Sequence, residues 1–164
     1  MPTWCEFRMT VVSKSEDTLK RFMKILDQED PIYYVGHIEN LMLENSWLEG
    51  RKGSELTCYE LSGLLAHNID SMLDKSMNGT KIDNGACYMS LLWLCKSLDI
   101  GVEIWAKCAE MEFQQWYMCN HKGKDSLDSR EWYAADEDDE NDYEEGGFDD
   151  YGEYNDARTI YGRR

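Results

Sequence analysis

The sequence predicts an α+β fold of ferredoxin-like sandwich type: a mixed or antiparallel sheet with helices on one side, followed by an acidic, aromatic-containing C-terminal tail. Three observations lead there. Strand-like alternation opens and closes the first 125 residues, apolar stripes at helical spacing lie between, and carboxylates crowd into the end of the chain.

Residues 3–12 read as the first strand, because Cys5, Phe7, Met9 and Val11 alternate with Trp4, Glu6, Arg8 and Thr10. Ser13-Lys14-Ser15-Glu16 then offers a capping box, in which a serine oxygen accepts from a free backbone N–H. Leu19, Phe22, Met23 and Leu26 follow at i, i+3, i+4 and i+7, the stripe of a helix with one buried face. Pro31 ends that helix. The run Tyr33, Tyr34, Val35 and Ile38 predicts a second strand within 32–43, and 47–53 reads as a loop.

Ser54 is placed to cap a second helix reaching about Lys75. Cys58, Leu61, Leu65, Ile69, Met72 and Leu73 share one side of it, with Glu60 and His67 on the other. Asn78-Gly79 and Asp83-Asn84-Gly85 punctuate the chain. Residues 86–98 predict a third helix around Cys87, Leu91, Leu94, Cys95 and Leu98. Val102, Ile104, Ala106 and Cys108 then alternate with Glu103, Trp105 and Lys107 in a strand over 100–108, whose hairpin partner is 110–120. The predicted order is β-α-β-α-α-β-β.

The 164 residues carry 17 Lys+Arg against 33 Asp+Glu, a net charge of −16. That length suits one domain with a core of its own. The acidity is concentrated: residues 136–156 hold 12 carboxylates and no Lys or Arg, while 1–135 carry 21 acids and 14 bases. We divide the chain into a folded body, 1–125, and a tail, 126–164. Such a charge balance disfavours nucleic acid or an anionic membrane as direct partner and favours a basic protein. The tail interleaves its acids with Trp132, Tyr133, Tyr143, Phe148, Tyr151, Tyr154 and Tyr161, unlike a purely solvating segment.

Neither a basic-plus-apolar leader nor an apolar run of membrane-spanning length is visible, so a cytoplasmic location is expected. The six cysteines form no C-x-x-C pair and all fall on apolar faces, which predicts free thiols acting as small hydrophobes. No metal or other cofactor is expected. Cys119-x-His121 needs two further ligands, and counting from Asp136 or Asp138 fails the EF-hand pattern. Cys58 with His67 and Cys119 with His121 are the only thiol–imidazole pairings to consider, and no Walker loop, G-x-S-x-G or H-E-x-x-H is present. A non-catalytic role is therefore expected.

The opening Met1-Pro2-Thr3-Trp4-Cys5, with the strand it begins, resembles the YubB-like ferredoxin-like domain of plasmid and phage proteins. Residues 86–124 resemble that family's closing helix and β-hairpin. Thr3 stands where the family customarily has Asn, and 32–85 diverge. The resemblance implies a ferredoxin-like fold and residence on a mobile genetic element, and it brings no catalytic residues.

Mobile elements carry small acidic proteins that disable host restriction or CRISPR systems. The resemblance therefore implies a defence inhibitor, of anti-CRISPR type, that mimics nucleic acid and occupies the basic groove of a nucleic-acid-binding effector. The expected contacts are Asp136, Glu137, Asp138, Asp139, Glu140, Asp142, Glu144, Glu145, Asp149 and Asp150, with Tyr143 and Tyr151 as aromatic anchors. The alternative is a protein-binding module acting through the sheet or through exposed Trp4, Trp105 and Trp116, with the tail only solvating.

Overall fold

The computed structural model describes residues 3–131 and 156–162. The alternating residues of Trp4–Ser13 form β1, the central strand of a six-stranded sheet. On one side β1 pairs with β4 (Leu56–Ala66), and β3 (Ile38–Glu49) lies beyond it as an edge. On the other side come β6 (Ile100–Cys108), β7 (Phe113–Cys119) and β8 (Asp125–Glu131). The order is β3-β4-β1-β6-β7-β8 and every pairing is antiparallel. The short strands β2 (Tyr33–Tyr34) and β5 (Cys87–Tyr88) pair in parallel beside it.

Helix α1 (Glu16–Leu26) begins at Ser15, whose side chain accepts from the Thr18 N–H at 3.3 Å. Ser13, the residue that opens the expected capping box, instead accepts from the Ser15 N–H at 3.1 Å, so the cap sits two residues later. Helix α2 (Leu91–Leu98) is capped by Ser90 and ends at Asp99, which takes the left-handed conformation at φ 60°. Leu19, Phe22 and Leu26 of α1 and Leu91, Leu94 and Cys95 of α2 cover one face of the sheet. There they meet Phe7, Met9, Val11, Leu61, Leu65, Val102 and Ile104 in the main core.

The opposite face carries a second, smaller core. Val12, Leu56 and Cys58 pack there against Ala157, Ile160 and Tyr161 of α3 (Ala157–Tyr161). Helices therefore lie on both faces, and the expectation of helices on one side holds only for α1 and α2. Both β8 and α3 belong to the 126–164 tail by sequence, apart from the first residue of β8, and both are packed onto the sheet.

The helix expected over 54–75 is overturned: 56–66 form β4, followed by short 3-10 turns at Ile69–Met72 and Lys75–Met77. Cys58, Leu61 and Leu65 fit a helical arc, but Tyr59, Leu61 and Leu65 also share one sheet face, and a ten-residue ladder to β1 decides for the strand. Consistent with this, the expected loop 47–53 is strand as far as Glu49. The hairpin turn follows at Gly50–Gly53, where both glycines have positive φ. The third expected helix loses its first residues to β5 and starts at Leu91.

The expectation of six free thiols is also overturned. Cys5 and Cys108 form a disulfide, one step along the β1–β6 ladder from the Glu6–Lys107 pair, with Cα atoms 4.4 Å apart. They lie 103 residues apart in sequence, so only the sheet register brings them together. Cys58, Cys87, Cys95 and Cys119 are free, and Cys87 is half-buried rather than buried. Among the described residues no helix is long and apolar enough to cross a membrane.

Candidate partner-binding surface

The acidic segment runs from the end of β8 to the start of α3, so the seating of those two elements decides where it is held. Strand β8 has the sequence Asp125-Ser126-Leu127-Asp128-Ser129-Arg130-Glu131, too polar to announce a strand. It exists because it pairs residue for residue with β7, from Phe113–Glu131 to Cys119–Asp125. The turn before it is built by Asn120, whose side-chain oxygen accepts from the N–H groups of Lys122 and Lys124. Tyr117 then donates to Asp125 Oδ2 at 2.9 Å.

Helix α3 is only five residues long, and isolated turns of that length do not persist in water. Two local devices and one packing contact hold it. Asp156 caps it, accepting from the Thr159 N–H at 2.9 Å; that hydrogen bond holds the Asp156 carboxyl below its ordinary pKa. Gly162 ends it at φ 90°, a conformation that favours glycine. The contact is with Gly101 of β6: a Cβ there would overlap the Ile160 carbonyl and lie 2.7 Å from the Tyr161 Cα. The absent side chain lets the helix backbone lie directly on the strand.

Around that contact, Tyr161 donates to Asp99 Oδ2 at 2.8 Å and stacks on His121, with ring centroids 4.1 Å apart. His121 Nδ1 lies 2.8 Å from Asp99 Oδ1, so one carboxylate holds both rings. Burial and the Asp99 contact push the Tyr161 phenol far above its ordinary pKa, so it remains the donor.

On the same face Trp116 donates to Glu103 Oε2 at 2.8 Å. Glu103 and Trp105 are both buried, at 1% and 3% exposure, so Trp105 is not the exposed aromatic that the sequence suggests. Trp4 and Trp116 are half-buried.

The exposed sheet edges differ in character. Strand β3 presents Met42 (56% exposed), Leu43, Trp47 and Leu48 (67%) among Glu39 and Glu44. Two register shifts, at Glu39/Met42 and Leu43/Asn45, bend it. Strand β8 presents Asp125, Arg130 and Glu131, with Leu127 as its one exposed large apolar residue.

The expected contacts Asp136, Glu137, Asp138, Asp139, Glu140, Asp142, Tyr143, Glu144, Glu145, Asp149, Asp150 and Tyr151 all lie outside the described residues. The thiol–imidazole pairings are not assembled. Cys119 lies 2.9 Å from Cys95 in the main core, whereas His121 stacks on Tyr161. Cys58 is in the second core, while His67 lines a cleft at the far end of β4. Burial pushes the Cys58 thiol up to about 12, the wrong direction for a nucleophile. Among the described residues no group of three or more His, Cys, Asp or Glu could hold a metal ion.

No family model, no curated protein and no solved structure matches this chain.

Proposed function

We propose that the chain is a non-catalytic, ferredoxin-like protein of a mobile genetic element. In this reading it binds a basic, nucleic-acid-binding host defence effector in the cytoplasm, as an anti-CRISPR protein does, and offers carboxylates where phosphates would lie. Support for the fold comes from connectivity. Helix α1 follows β1, the β3–β4 hairpin comes next, α2 precedes β6, and the order β3-β4-β1-β6 is that of a split β-α-β pair, with β7 and β8 added at one edge.

The observation that carries the functional reading is the 12-carboxylate run at 136–156, attached to the sheet through β8 at one end and α3 at the other. An acidic segment tethered twice loses less chain entropy when a basic groove engages it than a free tail would. Because α3 completes the second core, deleting the tail would also damage the body. The informative variant is therefore full-length protein with Asp136, Glu137, Asp138, Asp139 and Glu140 changed to Asn or Gln. A host-lysate pull-down at low and high salt should retain a nucleic-acid-binding effector on the parent only, released by salt. Equal, salt-resistant capture by both proteins would overturn the reading.

A second reading places the binding on the folded body. It is favoured by the exposed Met42, Leu43, Trp47 and Leu48 on the open edge β3. Capture that survives charge removal but fails in Trp47→Ser with Leu48→Ser would select it.

A further inference from the structure

A cleft lined by described residues opens at the end of the sheet where β1 begins and β4 finishes. It has a volume of about 820 Å³, within the ~300–1,000 Å³ of small-molecule sites. Trp4 of β1, Tyr34 of β2, His37 before β3, His67 after β4 and Tyr88 of β5 supply its rings, and Glu39 its one carboxylate. No Lys or Arg lines it among the described residues.

We propose that this cleft binds an organic cation of the quaternary or methylated ammonium class. The rings come in two pairs: Trp4 with His37, centroids 5.6 Å apart and tilted by 49°, and Tyr34 with Tyr88, 6.4 Å apart at 61°. Neither pair is a closed parallel stack, and Trp4, Tyr34 and His37 are each at least partly open to solvent. Tyr88 is fixed by its hydroxyl, which donates to the Ser71 carbonyl at 3.0 Å and accepts from the Asp74 N–H at 3.2 Å. Tyr88 is buried, at 6% exposure, so it braces Tyr34 rather than presenting a ring face of its own. Burial raises the Tyr34 phenol above its ordinary pKa and keeps it neutral.

The negative face of an aromatic ring attracts a cation, most strongly in Trp. A methylated ammonium gives up little hydration on entering such a site, whereas a bare ammonium or a metal ion gives up much more. Glu39 places a carboxylate at the cleft, 3.2 Å from His37 Nε2 and half in solvent. The net charge of −16 raises the local concentration of any cation. An anion would meet the Glu39 carboxylate and, among the described residues, no guanidinium or ammonium, only the imidazoles of His37 and His67.

This inference is independent of the acidic segment and is tested on the full-length protein by calorimetric titration. Choline is compared with 3,3-dimethylbutan-1-ol, which has the same shape and no charge. Saturable binding of choline, weakened ~10-fold or more in the neutral analogue and in Trp4→Ala, is expected. Trp4→Phe keeps a ring and Glu39→Gln changes an exposed group, so each reads the site with little effect on folding; both should weaken choline severalfold. Phosphocholine and an Nε-trimethyllysine peptide, titrated in parallel, distinguish a lipid headgroup from a modified protein as the source of the cation. Equal affinity for the neutral analogue, no saturable binding, or choline binding unchanged by Trp4→Ala and Glu39→Gln would overturn the proposal, the last by showing only nonspecific association with the acidic segment.

Discussion

The hydroxyl of Tyr161 donates to Asp99 at 2.8 Å, joining the C-terminal helix to the residue that ends α2. With β8 paired to β7, both described stretches of the 126–164 segment are tied to the folded body, the second through a left-handed aspartate and a five-residue helix. Tyr161→Phe removes the bond while keeping the ring stacked on His121. Because Asp99 is more than half exposed, the expected cost is modest, about 1 kcal/mol. Urea unfolding should show a lower midpoint with an unchanged slope.

Gly101→Ala is the sharper probe of the same contact. Its methyl group would overlap the Ile160 carbonyl, so α3 must move off β6 or the strand must bend. A cost of roughly 1–3 kcal/mol is expected, as for other overpacked sites. Hydrogen exchange should rise at Ile160–Gly162 and trypsin should cut faster after Arg158, with α1 and α2 unaffected.

Asp30 sets an acid limit on stability. Burial opposes its ionisation, but hydrogen bonds from Arg21 at 2.9 Å and from the N–H groups of Tyr33 and Ile32 prevail, and its pKa lies below the ordinary value. A carboxyl with a depressed folded-state pKa contributes stability that is fully present above its unfolded pKa of ~3.9 and is lost as pH falls through the folded value. Asp30→Asn should cost roughly 1–3 kcal/mol at pH 7, and the deficit should shrink below about pH 4. Denaturant midpoints across that range give the answer.

Thiol chemistry should sort the cysteines by environment. Burial and the nearby Glu49 charge push Cys58 up to about 12, and burial raises Cys95 as well. Native alkylation at neutral pH should label half-buried Cys87 first and leave Cys58, Cys95 and Cys119 unlabelled until the protein unfolds. Two further labels should appear only after reduction, on Cys5 and Cys108. Breaking that bridge should lower stability by about 2–4 kcal/mol, read as a fall in melting temperature.

The parts of the fold legible in the sequence are those whose two faces differ in chemistry, even where both are buried, as in β6. Strand β1, helix α1 and the β6–β7 hairpin each have a core face and a distinct opposite face, so period two or period 3.6 stands out. Strand β4 was obscured because Leu56 and Cys58 enter the second core while Tyr59, Leu61 and Leu65 enter the first, which blurs the alternation. Strand β8 has no core face to advertise, and α3 is too short for periodicity. The cleft left no signal because Trp4, Tyr34 with His37, and Tyr88 come from three separate segments, brought together by β1–β4 pairing and the β2–β5 pair. The expected acidic contacts rest on charge alone, which specifies a partner's sign but no geometry.

The central position of β1 has a consequence for how the chain reaches its fold. This strand is synthesised before either of its neighbours, yet Trp4 waits for Ala66 and Glu6 waits for Lys107. Until then both of its backbone edges stand open, and its core residues Phe7, Met9 and Val11 can be shielded only by α1. Closure demands long loops before any ladder forms, which makes for slow acquisition of the sheet and a stage vulnerable to aggregation. Substitutions that weaken the α1–β1 contact should therefore lower the yield of folded protein by more than their effect on the finished structure accounts for.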